Sequence, residues 1–174
     1  GRDDHALATL AVIARSGSTD AQRALGEALL RRPDGRRTHE GLSWAERAAE
    51  QGDTRAMLLL GKTWLLGAPG LAPDAAKARA WFQRCGPDSN PQAAYYLGLI
   101  EKAAQGSTGQ PADHAKAASH FQFAAQHGIA PAMYALGNAY ASGEGVDADP
   151  REAMRWYLRA AALGLEGPRI TPRT

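Results

Sequence analysis

An all-α repeat solenoid of about four helix pairs is the fold class that this 174-residue chain predicts, and three observations predict it. One phrase recurs four times, as AQRALGEAL (21–29), AMLLLGKTW (56–64), AAYYLGLIE (93–101) and AMYALGNAY (132–140). Each copy has Ala followed by Leu-Gly four and five positions later, and the glycines Gly26, Gly61, Gly98 and Gly137 are spaced 35, 37 and 39 residues apart. A period of that size marks units that each leave an apolar face only a neighbour can cover. The composition agrees: the 44% hydrophobic share is rich in Ala and poor in β-branched residues, which favours helix over sheet.

The elements follow in order. Residues 3–16 end at Gly17 and read as the second helix of an incomplete preceding unit. Helix pairs are expected at 20–31 and 38–51, 54–66 and 75–85, 91–105 and 114–127, and 131–142 and 151–163. Asp20, Asp53 and Asn90 stand before first helices, and Asp74, Asp113 and Asp149 before second ones. Their side-chain oxygens suit the free N–H groups of a first turn. Pro91, Pro131 and Pro150 fall in first turns, where a missing N–H costs nothing. Gly52, Gly128 and Gly164 close second helices with the left-handed residue that commonly ends one. The expected organisation is one repeat domain over 1–174. It comprises a partial unit at 1–17, repeats at 20–52, 53–89, 90–128 and 131–164, and a proline-containing tail at 165–174.

In the second helices, Trp44, Trp81 and Trp156 recur at one repeat position, with Ala48, Cys85 and Ala160 four residues on. A bulky anchor with a small residue one turn later lets helices approach closely while a ring fills the gap. His120 takes the anchor position in the third unit, beside Phe121 and Phe123. Cys85, the single cysteine, occupies a slot for a compact buried residue and excludes an intrachain disulfide or a Cys-based zinc site.

These residues resemble the Sel-one-like repeat family, a relative of the tetratricopeptide repeat. The fullest match is the last unit: Ala132, Leu136-Gly137, Tyr140, Gly143-Glu144-Gly145-Val146, Asp149, Ala153, Trp156-Tyr157, Ala160-Ala161 and Gly164. The second unit keeps Gly61, Trp64, Gly67, Gly70-Leu71, Asp74, Ala78 and Trp81. The resemblance implies a right-handed α/α superhelix, commonly bacterial, that acts as scaffold or adaptor in envelope, secretion or signalling systems. The first unit departs from the pattern with RRPDGRRT (31–38), and the third with Glu101 in place of an aromatic and a long polar loop at 106–111. Paired cysteines, which accompany β-lactam binding in some members, are missing here.

Function is read mainly by elimination. A net charge of +2 with interspersed signs gives no nucleic-acid footprint. No apolar run approaches the roughly 20 residues that cross a bilayer, so membrane insertion is not expected. A basic-plus-apolar leader is missing from 1–20, which says little in a chain that does not begin with Met; an exported, periplasmic setting is slightly favoured over a cytoplasmic one. Of five histidines, none has the i, i+4 spacing of a zinc helix. There is no nucleophile elbow, and the 143–145 loop lacks the Lys and Ser/Thr of a phosphate cradle. No enzyme activity, cofactor or metal is expected.

The helix wheel supplies a binding face. In the first helices the repeat's Ala and Leu share the buried side, and positions two, six and nine after that Ala face away. These are Arg23, Glu27 and Leu30; Leu58, Lys62 and Leu65; Tyr95, Leu99 and Lys102; and Tyr134, Asn138 and Ala141. By family analogy they line the concave side, where an apolar trough across units two to four, rimmed by lysines, suits another protein's peptide or helix. The alternative partner is carbohydrate, with Trp64, Tyr95, Tyr134 and Tyr140 as stacking rings. A competing basic patch is Arg31, Arg32, Arg36 and Arg37, four guanidinium groups that could grip carboxylates or phosphates.

Overall fold

The computed structural model describes residues 2–33, 35–107 and 112–164. Among them the helices are α1 (Arg2–Arg15), α2 (Thr19–Leu30), α3 (Thr38–Glu50), α4 (Thr54–Leu66), α5 (Ala75–Arg84), α6 (Pro91–Ser107), α7 (His114–Gln126), α8 (Ala130–Ser142) and α9 (Pro150–Ala162). The only β-type pairing among the described residues is an isolated bridge between Ala68 and Leu71. The chain divides into two compact units, 1–85 and 86–174. In the first, α1 packs on α2, α2 on α3, α3 on α4 and α4 on α5; in the second, α6 packs on α7, α7 on α8 and α8 on α9. The predicted tail at 165–174 and most of the third unit's polar loop lie outside the described residues.

Helix starts follow the capping chemistry of the sequence with one correction. Asp53, Asp74, Asp113 and Asp149 accept hydrogen bonds from first-turn N–H groups of α4, α5, α7 and α9. Asn90 does the same for α6, accepting from Gln92 and Ala93. Asp20 does not cap α2; Ser18 does, accepting from the Ala21 N–H. Asp20 lies inside the first turn, where a carboxylate meets the positive end of the helix dipole, and it pairs with Arg23 at 2.7 Å.

Close approach inside each pair explains the repeated glycine. A Cβ placed on Gly26 would lie 2.8 Å from the Gly41 carbonyl oxygen and 2.9 Å from the Ala45 nitrogen. At Gly61 it would lie 2.5 Å from the Phe82 ring, at Gly98 2.6 Å from Phe121, and at Gly137 2.7 Å from Tyr157. Phe82, Phe121 and Tyr157 sit one residue after the Trp/His anchor position, and Ala45 does so in the first pair. The ring that fills the glycine notch is therefore the anchor's C-terminal neighbour, which corrects the expectation from spacing. Trp44 and Trp156 are buried and Trp81 partly so, and each of these three anchors is covered by an arginine three residues on. Arg47 stands 4.6 Å from the centre of Trp44, Arg84 4.5 Å from Trp81 and Arg159 4.8 Å from Trp156. Such stacking shields the indole while keeping the guanidinium hydrated.

The leucine of each phrase is buried, as Leu25, Leu60, Leu97 and Leu136. Cys85 is buried too, its thiol against the Thr54 carbonyl at 3.6 Å, and burial pushes the thiol pKa up, the opposite of what a reactive thiolate requires. The last three loops within pairs differ in length but close alike. The N–H of the second-helix cap donates to a carbonyl three residues after the phrase glycine: Asp74 to Trp64, Asp113 to Glu101 and Asp149 to Tyr140.

Both kinds of notch should resist enlargement. Gly26→Ala presses a methyl group on fixed backbone, and Gly137→Leu displaces a ring. Each is expected to lower stability by about 1–3 kcal/mol, the usual range for overpacking, read from urea or thermal unfolding followed by circular dichroism. Unchanged midpoints in both variants would contradict the steric role.

Candidate interaction groove

The second unit carries an open trough of about 530 Å³ between α6, α7 and α8. Its walls are Tyr95, Leu99 and Lys102 from α6 and Pro131, Tyr134, Ala135 and Asn138 from α8, with Phe121 of α7 at the floor. The spacing of α6 and α8 creates it. Both are first helices, so both turn the same repeat positions outward, and α7 lies below because its ring must enter the Gly98 notch. Tyr95, Leu99 and Tyr134 are half-buried and rest on the core around Phe121, Leu136 and Trp156.

Each polar group has a fixed setting. The Tyr134 ring packs against Tyr157 at 5.5 Å, and Tyr95 packs against Tyr96 at 5.3 Å and Phe121 at 6.2 Å. The Tyr157 hydroxyl donates to the Asn138 side-chain oxygen at 2.8 Å. That bond orients the amide, leaving its NH₂ as a pair of donors. Burial, then the neighbouring Tyr96, raises the Tyr95 pKa, so its phenol stays a neutral donor and acceptor. Lys102 pairs with Glu144 of the α8–α9 loop at 3.0 Å, and this contact holds the glutamate below the usual carboxylate range. Lys102 is thus a paired cation at one end of the trough.

The wheel brought Tyr95, Leu99, Lys102, Tyr134 and Asn138 to one place. It missed Phe121, Pro131 and Ala135, since a wheel treats one helix at a time and these reach the trough only once α7 and α8 pack. In the first unit the expected face is less open. Leu58 and Leu30 are buried, a correction: the wheel puts both away from the core, but α4 also touches α2, so a larger arc of each helix is covered. Lys62 and Leu65 are partly buried. Arg23 bonds to Asp20 and, at 2.9 Å, to the α4 cap Asp53, and the Asp20 hydrogen bond leads in raising its pKa. Glu27 pairs with Arg31 at 2.6 Å. Arg23 serves the joint between α2 and α4, whereas Glu27 is engaged within α2 and its C-cap.

The basic patch is partly neutralised. Arg31 meets Glu27, and Arg37 makes a forked contact to Glu40 at 2.7 and 2.8 Å. Its neighbourhood is also anchored: buried Thr38 donates to the Pro69 carbonyl at 2.6 Å, and a Cβ on Gly35 would lie 2.7 Å from that oxygen.

Comparison with known proteins identifies the class. The Sel1 repeat model matches residues 19–53, 54–84, 91–129 and 130–165, so the chain belongs to the Sel1 repeat family. Proteins of this family generally serve as protein–protein interaction scaffolds. Similar structures include c5321, a protective antigen of uropathogenic Escherichia coli with this repeat fold. It is 32% identical with a TM-score of 0.78 over 91% of this chain and 33% of that one. A Sel1 repeat protein from Oxalobacter formigenes is 25% identical with a TM-score of 0.73, covering 87% of this chain and 59% of that one. Among curated sequences, an uncharacterised Neisseria meningitidis protein is 29% identical over 72% of this chain and 25% of its own length. Chitin synthase regulatory factor 3 of Schizosaccharomyces pombe is 32% identical over 68% of this chain and 13% of its own length. The chain thus spans a quarter or less of the curated relatives it matches.

No group of three or more His, Cys, Asp or Glu suited to a metal occurs among the described residues. Like His114 at the start of α7, His120 is partly buried on that helix. Burial, then Lys116, lowers its pKa, against the smaller pulls of Glu101 and Asp88. Glu101 is itself buried and pairs with Lys116 at 3.4 Å. A histidine depressed on folding binds fewer protons folded than unfolded, so its contribution is complete above the ordinary 6.5 and is lost as pH falls through the lower folded value. Proton NMR titration should place His120 below 6.5. His120→Gln should flatten the loss of stability between neutral and mildly acidic pH; an unshifted titration would refute the assignment.

Proposed function

We propose that the chain is a non-catalytic interaction scaffold that holds an extended peptide segment of a partner protein in the trough of Tyr95, Leu99, Lys102, Tyr134 and Asn138. The observation that carries this reading is the oriented Asn138 amide beside an aliphatic and aromatic wall. Its NH₂ group can donate to a backbone carbonyl, while Tyr95, Leu99 and Pro131 offer apolar pockets for side chains. Lys102, with Glu144 competing for it, sets polarity more than affinity and favours an acidic residue at that end.

Peptide is favoured over sugar by the state of the rings. Tyr95 and Tyr134 lean on other rings at interplanar angles of 58° and 47°, so neither offers an open flat platform. Trp64 has the Lys77 ammonium 4.1 Å from its ring centre. The likeness to a protective antigen of a pathogenic bacterium supports a setting in a bacterial envelope or secretion pathway.

Peptides selected against the intact chain by phage display test the reading. Selected sequences should combine apolar residues with an acidic one. Tyr95→Ala and Tyr134→Ala should each weaken binding by about 1 kcal/mol or more, as expected of anchors. Thermal melts run alongside separate lost contact from lost fold. Normal binding by the double variant, with binding abolished by Arg36→Glu and Arg37→Glu, would move the site to the arginine loop.

A further inference from the structure

The Lys102–Glu144 pair closes the polar end of the trough, and backbone geometry holds it there. Gly143 ends α8 in the left-handed region at φ 75, and the Glu144 N–H donates to the Ala139 carbonyl at 3.2 Å. Gly145, also left-handed at φ 78, lies against the start of α7. A Cβ there would overlap the His114 carbonyl and stand 2.7 Å from the Ala115 nitrogen. Glu144 is thus pinned from α8 on one side and α7 on the other, with its carboxylate 3.0 Å from the Lys102 ammonium. Next to the pair, a recess lined by Ala117, Ala118 and Ala139 narrows to about 10 Å³ and shares Lys102, Phe121 and Ala135 with the trough. That is room for about one water, too little for a side chain while the two charges meet.

Stability does not account for this pair. Its side chains are 44% and 43% exposed, and an ion pair so exposed adds little to folding. Internal repetition points the same way. Lys102 lies four residues past Gly98, and Glu144 seven past Gly137; the same positions counted from Gly26 and Gly61 hold Leu30 and Ala68. Neither of those is charged, and the face they belong to is the less open one. The charges therefore occur where the trough does, and Lys102 is the one charged residue among those that line it. We infer that Glu144 is an internal stand-in for a carboxylate of the bound partner. An acidic side chain of the segment in the trough takes its place on Lys102 and releases the loop carboxylate to water. This inference rests on the trough as a peptide site and adds what regulates it. Binding exchanges one ion pair for another, so a stray anion gains nothing at Lys102, and only a carboxylate delivered together with apolar anchors displaces Glu144.

The test selects peptides in parallel on the intact chain and on its Glu144→Gln variant. An acidic peptide from these pools is then compared with its own amide version, Asp→Asn or Glu→Gln, by fluorescence anisotropy. Glu144→Gln should tighten the acidic peptide roughly three- to fivefold, the scale of one exposed ion pair, and leave the amide version unchanged. The gain should shrink as salt rises, because the variant acquires an attraction that salt screens whereas the wild type merely trades one. With Lys102→Gln in place, Glu144→Gln should no longer change binding, which a double-mutant cycle reads directly. Absence of the gain, its persistence in the Lys102→Gln background, or pools without an acid-dependent peptide overturns the inference. A lowered melting temperature in Glu144→Gln with no gain in affinity does so too, since the pair would then serve folding. If Tyr95→Ala still weakens the same peptides, the trough stands and only the exchange fails. If Tyr95→Ala and Tyr134→Ala both leave them unweakened, the trough reading fails as well.

Discussion

The separation between the two helices of a pair is fixed by the missing side chain at the Leu-Gly glycine. Glycine inside a helix costs about 1 kcal/mol relative to alanine, yet this chain places one at the same point of α2, α4, α6 and α8. What offsets that cost is contact: a ring, or in the first pair bare backbone, comes to a distance that no Cβ would permit. The Gly26 and Gly41 pair carries this furthest, since a Cβ on Gly41 would in turn lie 3.0 Å from the Gly26 carbonyl. There two backbones touch with no ring between them.

The same contact positions the trough. Phe121 cannot enter the Gly98 notch without drawing α7 beneath α6, and Tyr157 cannot enter the Gly137 notch without presenting its hydroxyl to Asn138. A packing residue thereby orients a residue of the proposed binding trough. The Tyr157 pKa, raised by burial first, keeps that hydroxyl protonated and able to donate. The trough is accordingly preorganised by the core, and little ordering of its own side chains opposes an incoming segment.

Much of this was legible from residue spacing. The period, the capping Asp and Asn residues and the closing glycines placed the helices within a residue or two, because each signal is local. The repeat phrase led to the Sel1 family because four copies of a specific pattern rarely arise otherwise. What was not legible depended on contacts between helices. Leu58 lies on the polar side of its own wheel but beneath another helix. Asp20 and Ser18 are both good caps in sequence, and only the pairing of Asp20 with Arg23 shows which one was free to do it. The ring that fills each notch was misplaced by one residue, since Trp is larger than Phe or Tyr and attracts attention for that reason. The arginine over each second-helix tryptophan is a signal three residues along that spacing could have revealed.

The backbone bond that closes the last three loops has a further consequence. The cap of the second helix returns to the carbonyl three residues past the glycine whether the two lie nine, ten or twelve positions apart, as with Tyr140 and Asp149, Trp64 and Asp74, or Glu101 and Asp113. Geometry at the splice is thus decoupled from what is spliced in. Loop-closure entropy rises only slowly with length, by about 0.6 kcal/mol per doubling. The tips of these loops are therefore natural ports for variation, where a lineage can add or exchange a recognition segment while the helices on either side keep their register.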